Sequence, residues 1–300
     1  MSTRMDRPAD TDVFVEILAI GEEILLGDVL DTNSHWLCKQ LTGLGARVRR
    51  ITQIGDDADI IAETLRAALE RDTALVLTVG GLGPTEDDRT LIAVGNALGR
   101  PLVEHPVARQ WVESTYERLA QEGHVSSHEI MSQDTQDSRL KMARLPQGAE
   151  PLYNQVGVAP GVLLRHESLV IVCLPGVPDE MKDIFQHALE PTVHDLLGAG
   201  RYAEWRVRAA VGDESILAPL LRQVSAEHPD VYIKSRAKRF GEGVHFTITL
   251  SARGQERDGG SDIGDTVTDR LERAWHSLQN RLAREGIESW RVEDHDQASA

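Results

Sequence analysis

The sequence predicts an α/β fold with a mostly parallel sheet, followed by a smaller α+β region. Apolar runs typical of buried strands alternate with helical patterns through the first two-thirds of the chain. Strands separated by helices of this length pair in parallel through right-handed crossovers. Beyond residues 197–200 the alternation is lost, so we predict a domain boundary there.

The elements of the first region follow a regular order. Helical spacing of apolar residues after each strand predicts the connecting helices, and residues 105–119 are also predicted to be helical. Residues 123–138 are polar and are predicted to be rich in loops. The predicted strands are residues 15–20, 48–54, 74–79 and 168–174.

The second region is predicted to combine a strand at residues 205–211, one hairpin and two helices. Strands at residues 232–237 and 244–252 flank a turn at 240–243, and Ser251 is expected to face outward. Ile216 is expected on the buried face of the first helix, which Pro219 is expected to shorten or kink. Terminal segments are predicted to lack structure, as a leader over residues 1–12 and a tail over 288–300.

The composition limits the partners and the compartment. The chain has 300 residues and a formal charge of −16, which argues against a nucleic-acid partner because phosphate-backbone binding depends on Lys and Arg. No apolar run is long enough to span a membrane, and residues 1–12 lack the apolar core of a signal peptide. Cys38 and Cys173 lie in apolar patterns without CxxC spacing, as buried thiols do in a reducing compartment. We therefore predict a cytoplasmic protein without membrane contact.

The segment GGLGPTEDDRT, residues 80–90, lies between a predicted strand and a predicted helix. In this geometry backbone N–H groups and a helix N-terminus can hold an anion. Glu86, Asp87 and Asp88 would repel a phosphate unless a cation such as Mg²⁺ lay between them. The absence of Gly-Lys-Ser/Thr excludes a P-loop, and no glycine completes the G-x-G-x-x-G dinucleotide fingerprint after Gly81 and Gly83. In the alternative interpretation, Asp87 or Asp88 simply caps the following helix.

Three polar segments directly follow predicted strands: residues 21–33, which are predicted to form a loop carrying Glu22 and Glu23, residues 55–57 and residues 80–88. Ligand sites in parallel sheets lie at the carboxyl ends of the strands, so we expect these segments to converge on one crevice. One of Glu22 and Glu23 is predicted to orient a metal or a ribose. Asp56 is predicted to be the N-cap of the next helix rather than a further ligand.

Four segments together resemble one family. They are GEEILLGD at 21–28 with Asn33, the loop at 80–90, Asn154 with the following Gly157 and APG, and LPGVPDEMK at 174–182. The chain is similar to the amino-terminal part of the CinA (competence/damage-inducible) proteins, within the molybdopterin-binding family that includes MoaB and MogA. Val79 and Met142 depart from the family pattern, in which threonine and glutamine are common at these positions.

The resemblance implies a domain organisation. It predicts a three-layer α/β/α MoaB/Mog-like domain over residues 13–197 and a small KH-type subdomain over residues 201–287. The second subdomain lacks a Gly-x-x-Gly clamp, so RNA binding is not expected. The chain is too short for the amidohydrolase domain that many CinA proteins carry at the carboxyl terminus, and family relatives suggest a homo-oligomer.

The resemblance also implies a function. CinA-like domains are associated with metal-dependent hydrolysis of ADP-ribose, so we expect a pyrophosphohydrolase of ADP-ribose or a related nucleoside diphosphate compound. Asp87 and Asp88 are the predicted catalytic residues and the predicted ligands of Mg²⁺ or Co²⁺. Two alternatives stay open: a protein that binds molybdopterin or another pterin without hydrolysis, and a non-catalytic regulatory remnant.

The remaining candidate residues are expected to hold a small phosphorylated ligand, either ADP-ribose-like or a pterin. Glycines allow a phosphate to approach the backbone, and a threonine adds a hydroxyl. Asn33 and Asn154 could contact a ring of the ligand or hold loops through backbone hydrogen bonds, and Gly176 could line the pocket or form only a rigid turn. These residues are Gly80, Gly81, Gly83, Thr85, Asn33, Asn154 and Gly176. A basic cluster at 234–239 is predicted to guard an edge strand, with phosphate binding as the alternative.

Overall fold

The computed structural model describes residues 13–71, 73–125, 132–197, 200–236, 245–255 and 266–292. The chain divides into two compact units, Met1–Thr42 with Ala46–Leu197, and Gly43–Gly45 with Gly198–Ala300. The predicted leader, the predicted hairpin turn and residues 293–300 of the predicted tail lie outside the described residues.

The first unit is built on a six-stranded sheet and a separate two-stranded ribbon. The strands are β1 (Phe14–Ile20), β2 (Arg47–Ile54), β3 (Leu75–Val79), β4 (Leu102–Glu104), β5 (Arg144–Pro146), β6 (Glu150–Leu152), β7 (Gly161–His166) and β8 (Leu169–Leu174). The sheet has the order β2-β1-β3-β8-β7-β6, and β4 pairs with β5 in the ribbon. Strands β2, β1, β3 and β8 are parallel, whereas β7 is antiparallel to both of its neighbours, β8 and β6. The predicted mostly parallel sheet is therefore confirmed.

Helices connect these strands and cover the sheet. They are α1 (Glu22–Leu26), α2 (Thr32–Gly43), α3 (Ala58–Leu69), α4 (Thr90–Leu98), α5 (Pro106–Gln121), α6 (Gln133–Lys141), α7 (Pro178–Ile184) and α8 (Glu190–Leu197), with a π-helical turn at Phe185–Leu189 between the last two. Leu65 of α3 and Val94 of α4 pack with Leu18 in one core. Elsewhere Trp36 of α2 meets Phe185 edge-on, with ring centroids 5.3 Å apart.

The burial of the central strands explains their uninterrupted apolar sequences. β3 and β8 are buried along their whole length, as expected for parallel strands covered on both faces. The two departures from the family pattern, Val79 and Met142, are both buried in the core. At these two positions the side chain therefore contributes to packing.

Two predictions about local structure are wrong. Glu22 and Glu23 belong to the short helix α1 rather than to a loop, and the last six residues of the segment predicted to be rich in loops, 133–138, form the first part of α6. Helix α6 begins because the hydroxyl of Ser132 accepts a hydrogen bond from the N–H of Thr135. None of the described helices is both long and apolar enough to cross a membrane.

The second unit contains an antiparallel sheet and two helices. Its elements are β9 (Gly200–Ala210), α9 (Glu214–Glu227), β10 (Val231–Arg236), β11 (His245–Gln255), α10 (Val267–Arg284) and β12 (Ser289–Val292). The sheet has the order β10-β11-β9-β12, and the antiparallel pairing of β10 with β11 confirms the predicted hairpin. Lys234 and Arg236 of the basic cluster lie on the edge strand β10.

The second unit also corrects three details. Pro219 lies inside α9 without ending it. Ile216 is exposed, because the buried face of this helix is carried by Leu217, Leu220 and Val224 instead. Ser251 is buried, although its position in the strand alternation predicted an outward side chain.

Candidate functional site

Four loops leave the sheet side by side at the carboxyl edge of its parallel strands. In the register of the sheet, Ile54 lies beside Ile20 and Leu174 lies beside Val79. The loops that follow begin at Gly21, Gly55, Gly80 and Pro175. The predicted convergence of three polar segments is therefore confirmed, and the turn after β8 adds a fourth.

The glycines at the start of the 80–90 loop are required by close packing. Gly80 has a φ of 110°, and a Cβ there would lie 2.1 Å from the carbonyl oxygen of Ile20. Gly81 has a φ of 67°, and the hydroxyl of Thr90 occupies the space that its side chain would need. That hydroxyl donates a 2.8 Å hydrogen bond to the carbonyl of Gly80. Only glycine fits both positions without strain.

The same loop presents backbone donors. The N–H groups of Gly81, Leu82 and Gly83 donate no hydrogen bond to any acceptor in the described residues. Successive N–H groups in a loop with positive φ can form a concave binding site for an anion. The loop leads into α4, whose N-terminus adds positive potential. The arrangement can therefore hold a phosphate group through the backbone.

The carboxylate of Asp88 stabilises the conformation of this loop by hydrogen bonds. Its Oδ2 accepts hydrogen bonds from the N–H of Thr85 at 2.9 Å and from the hydroxyl of Thr85 at 2.6 Å. A Cβ at Gly83 would lie 2.6 Å from the same oxygen, so the carboxylate packs against that glycine. The N-cap position of α4 is Arg89, without a side-chain capping bond. The alternative in which Asp87 or Asp88 caps this helix is therefore wrong.

Asp87 projects from the same loop and is exposed. The nearby Thr85 side chain, whose hydroxyl donates its hydrogen bond to Asp88, and the backbone N–H of Asp87 itself lower the pKa of Asp87, and the positive charges of Lys141 and Arg89 lower it further. Lys141, on α6, also contacts the carbonyl oxygen of Thr85. Asp87 is thus ionised at neutral pH beside the backbone donors.

The carboxylates do not form a ready metal cage. Within the described ranges, no three His, Cys, Asp or Glu side chains come together as a metal-binding group. Magnesium, however, commonly binds one or two carboxylates together with substrate phosphates. Oδ1 of Asp88 accepts no hydrogen bond from the residues the structure describes, so Asp87 and Asp88 fit a metal that a phosphate ligand helps to hold. A resident metal stays a prediction.

The β1 and β2 side of the crevice is acidic. Asp56 accepts a 2.9 Å hydrogen bond from the N–H of Glu22, whereas Asp57 caps α3. The predicted cap is therefore wrong by one residue. The carboxylate of Glu22 lies against Gly55, where a Cβ would be 2.3 Å from Oε2, and that of Glu23 lies against Gly21 at 2.4 Å.

Asn33 and Gly176 meet at the opposite side of the glycine-rich loop. The Nδ2 of Asn33 donates a 2.7 Å hydrogen bond to the carbonyl of Gly176. A Cβ at Gly176 would lie 3.5 Å from the Cα of Gly80, so these predicted residues are neighbours. The Oδ1 of Asn33 is buried and has no hydrogen-bond partner in the described part of the chain. A buried acceptor of this kind needs a partner from water or a ligand.

Asn154 has a different role. Its Nδ2 donates to the carbonyl of Ala159 at 2.9 Å and to Glu180 Oε2 at 2.6 Å. Its Oδ1 accepts from the N–H groups of Val156 and Gly157 at 3.1 and 2.8 Å. These four bonds use its full hydrogen-bonding capacity. Asn154 holds the loop that follows β6, and its side-chain amide has no hydrogen-bonding capacity left for a ligand.

Two acidic residues of α7 support that loop and were not among the predicted site residues. Burial raises the pKa of Glu180, and the hydrogen bond from Asn154 offsets part of the rise. Asp183 accepts a 2.8 Å hydrogen bond from the N–H of Gln155 and lies 3.0 Å from Nδ1 of His187. No signal in the sequence alone pairs these carboxylates with a loop more than twenty-five residues earlier.

The family model described as a probable molybdopterin binding domain matches residues 16–195. Protein TK1472 of Thermococcus kodakarensis is 39% identical over 243 residues, covering 81% of this chain and 93% of that protein. Protein PF0476 of Pyrococcus furiosus is 37% identical over 236 residues, covering 79% of this chain and 90% of that protein.

A solved structure is also similar. The protein CinA of Thermoplasma acidophilum, described as having unknown function, has a TM-score of 0.53 and 32% sequence identity. The match covers 61% of this chain and 98% of that protein.

Proposed function

Because this chain belongs to the family of probable molybdopterin-binding domains of the MoaB/Mog type, with CinA as a structural relative, we propose that its crevice binds a small phosphorylated ligand carrying a planar ring. The observation that carries the proposal is that the N–H groups of Gly81, Leu82 and Gly83 donate no hydrogen bond within the described part of the chain. They lie at the carboxyl edge of the parallel strands, where such sheets bind ligands.

The residues around this loop suit a pterin phosphate. The loop N–H groups would hold the phosphate, since backbone donors at a helix N-terminus favour an anion. Asn33 would offer its buried Oδ1 to an N–H group of the ring, because its Nδ2 is already committed to Gly176. The matching family is described by its molybdopterin binding, which favours a pterin over other ring systems.

A second candidate function, hydrolysis of ADP-ribose or a related nucleoside diphosphate compound, is favoured by Asp87. This exposed, ionised carboxylate lies on the loop that would hold the diphosphate. Asp87 and the free Oδ1 of Asp88 would hold Mg²⁺ or Co²⁺ together with phosphate oxygens. Such a metal lowers the pKa of bound water and stabilises charge on phosphorus. Water would add across the diphosphate, breaking one P–O bond and yielding two phosphate monoesters, AMP and ribose 5-phosphate.

Calorimetry and a turnover assay separate the two candidates. ADP-ribose and a pterin phosphate would be titrated into the protein, and phosphate-ester release from ADP-ribose would be measured with Mg²⁺ or Co²⁺ and then with chelator. Asp87→Asn is the informative variant, because Asp87, unlike Asp88, is not the residue that ties Thr85 into the loop.

Each outcome has a defined meaning. Metal-dependent turnover that is lost in Asp87→Asn supports the hydrolase. Saturable binding of the pterin phosphate without turnover supports a binding protein. Saturable binding of neither ligand overturns the proposed function and leaves the regulatory remnant.

A further inference from the structure

The antiparallel sheet of the second unit has one face that its helices do not cover. Side chains alternate between the two faces of a strand. One set, which includes Val207, Phe246 and Ile248, packs with Leu271 and Leu278 of α10 in a buried core. The other set points away from this core, and we call its surface the outer face. It comprises the even-numbered residues of β10, of β12 and of β9 from 202 to 210, and the odd-numbered residues of β11 from 245 to 253.

Basic side chains line up across the outer face in the register of the sheet. One row across the four strands consists of Arg236, Thr247, Arg208 and Trp290. The next row consists of Lys234, Thr249, Arg206 and Val292. Adjacent strands lie about 4.8 Å apart, and the two rows are about 6.7 Å apart along the strands. Each row therefore places two cations within reach of one extended anionic chain.

Three of these cations are not neutralised. Arg208, Lys234 and Arg236 are exposed and form no hydrogen bond or ion pair with any described residue. Arg206 pairs at 3.0 Å with Glu204, the only acidic side chain on the described part of the outer face. Protection of the sheet edge accounts for basic residues on β10. It does not account for Arg208, because β9 lies between β11 and β12 in the interior of the sheet.

Exposed aromatic rings border the cations. Tyr232 on β10 is 62% exposed, and Trp290 on β12 is 37% exposed. His245 meets Trp290 edge-on, with ring centroids 5.1 Å apart, and so supports the indole beside Arg208. Proteins that bind single-stranded nucleic acids combine these two features, because cations contact the phosphates and aromatic rings stack with the bases.

The residue types on the outer face favour a single-stranded nucleic acid over other anionic partners. A membrane surface is bound through aliphatic and aromatic side chains that enter the lipid, and Val292 is the only large aliphatic residue on the described part of this face. An acidic peptide would pair with the cations but has no bases for the rings. A duplex keeps its bases stacked on one another, so only a single strand can use both features.

The negative net charge of the chain limits the strength of this binding but not its position. The formal charge of −16 argues against a nucleic-acid partner for the chain as a whole. At physiological salt, however, exposed charges more than about 8 Å away are largely screened. A phosphate on the outer face therefore interacts mainly with the cations of the two rows, and its binding should be strongest at low salt.

We propose that the outer face binds single-stranded nucleic acid, with phosphates held by Arg208, Lys234 and Arg236 and bases stacked on Trp290 and Tyr232. The site belongs to the second unit alone, and the proposal does not depend on the ligand in the crevice of the first unit.

Fluorescence anisotropy of the full-length chain with labelled oligo(dT) and oligo(U), each of about twelve nucleotides, tests the phosphate contacts. With three contacts, the logarithm of the association constant should fall against the logarithm of salt concentration with a slope of about −2. Arg208→Gln and Lys234→Gln should each weaken binding and reduce the steepness of this slope by about 0.7. Arg222→Gln, at an exposed arginine of α9, is the matched control and should change neither quantity.

A second pair of variants tests the stacking contact. Trp290→Leu should weaken binding at least about fivefold, because the base loses its aromatic partner. Trp290→Phe keeps a ring at the same position and should retain most of the affinity. Circular dichroism would confirm that every variant is folded.

The outcomes that overturn the proposal are distinct from those of the crevice experiments. Absence of saturable binding to both oligonucleotides at low salt overturns it. Equally tight binding of polyphosphate, which has no bases, or of a duplex of the same length overturns the assignment to single-stranded nucleic acid. An affinity that Trp290→Leu and both cation variants leave unchanged places the binding elsewhere and also overturns it. Tighter binding of oligo(U) than of oligo(dT) would identify the partner as RNA, and the reverse would identify it as DNA.

Discussion

The side chain of Asn33 donates a 2.7 Å hydrogen bond to the carbonyl of Gly176, joining residues 143 positions apart. This bond ties the first turn of α2 to the turn after β8, next to the glycine-rich loop. It orients the amide of Asn33 so that its buried Oδ1 has no hydrogen-bond partner within the described residues. The crevice is therefore shaped by contacts between loops that follow different strands.

Replacing Asn33 should weaken both the fold and ligand binding. Asn33→Asp removes the donor and places a carboxylate against the Gly176 carbonyl, so we expect a loss of about 1–3 kcal/mol in the free energy of unfolding. Ligand affinity should fall as well, because the acceptor is no longer held in place. Chemical denaturation and calorimetry would measure the two effects. Asn96→Asp, at an exposed residue of α4, is the control; equal effects of both variants would contradict the role of Asn33.

A pair of glycine variants tests the close approach at the sheet edge. Gly80→Ala places a Cβ 2.1 Å from the carbonyl oxygen of Ile20, whereas Gly99→Ala meets nothing within 4 Å. Both glycines have positive φ, so both variants carry backbone strain of about 1 kcal/mol. We expect Gly80→Ala to cost at least about 2 kcal/mol more than Gly99→Ala in denaturant unfolding. Similar losses would show that the contact with Ile20 is unimportant.

The buried Glu16 should make stability depend on pH. Burial by itself raises the pKa of Glu16, but hydrogen bonds from Arg71 and Thr73 and the charges of Arg71 and Arg50 bring the net pKa below 4.5. The two hydrogen bonds from Arg71 are both 2.7 Å long. Because the folded pKa is lowered, the stabilisation is complete above the unfolded value and is lost as the pH falls through the folded value.

Glu16→Gln should therefore destabilise the protein by about 2 kcal/mol at neutral pH. The difference from wild type should shrink as the pH falls below 4.5, the unperturbed pKa of the carboxyl group. Denaturant unfolding across the pH range would measure it, with the exposed Glu63→Gln as control. A difference that grows at low pH would contradict the assigned sign.

The two cysteines should react differently from exposed thiols. Burial raises the pKa of Cys173 to about 12, and burial together with Asp31 raises the pKa of Cys38. The thiolate is the reactive form, so a Cys38→Ser variant should resist iodoacetamide at pH 8 until it is unfolded. Intact mass would report the modification. Native labelling as fast as in the unfolded chain would show that Cys173 is accessible.

The sequence signals were strongest where an element is buried on both faces. β3 and β8 appear as uninterrupted apolar runs because helices cover both sides of them. β4, β5 and β6 have three residues each, too few for a periodicity that would predict them. Helix α1 has five residues, which are likewise too few to predict a helix from periodicity.

The sequence predicts the backbone geometry of the site better than the contacts that its side chains make. Gly80 and Gly81 stand out in the sequence because strand, glycines and helix follow one another directly. The pairing of Asn154 with Glu180 crosses 26 positions and leaves no local trace, so the loop-holding role of Asn154 could only be one of two open interpretations. Asp56 and Asp57 are adjacent acidic residues, and only backbone geometry decides which one caps α3.

Amide chemical shifts during ligand titration test the central claim most directly. With uniformly ¹⁵N-labelled protein, a pterin phosphate and ADP-ribose would each be added while the amides of Gly81, Leu82 and Gly83 are followed. If these N–H groups hold the phosphate, their signals should move downfield and saturate with one of the ligands, while Gly99 stays unchanged. Saturable shifts elsewhere, with these three amides unmoved, would contradict the claim that the glycine-rich loop binds the phosphate.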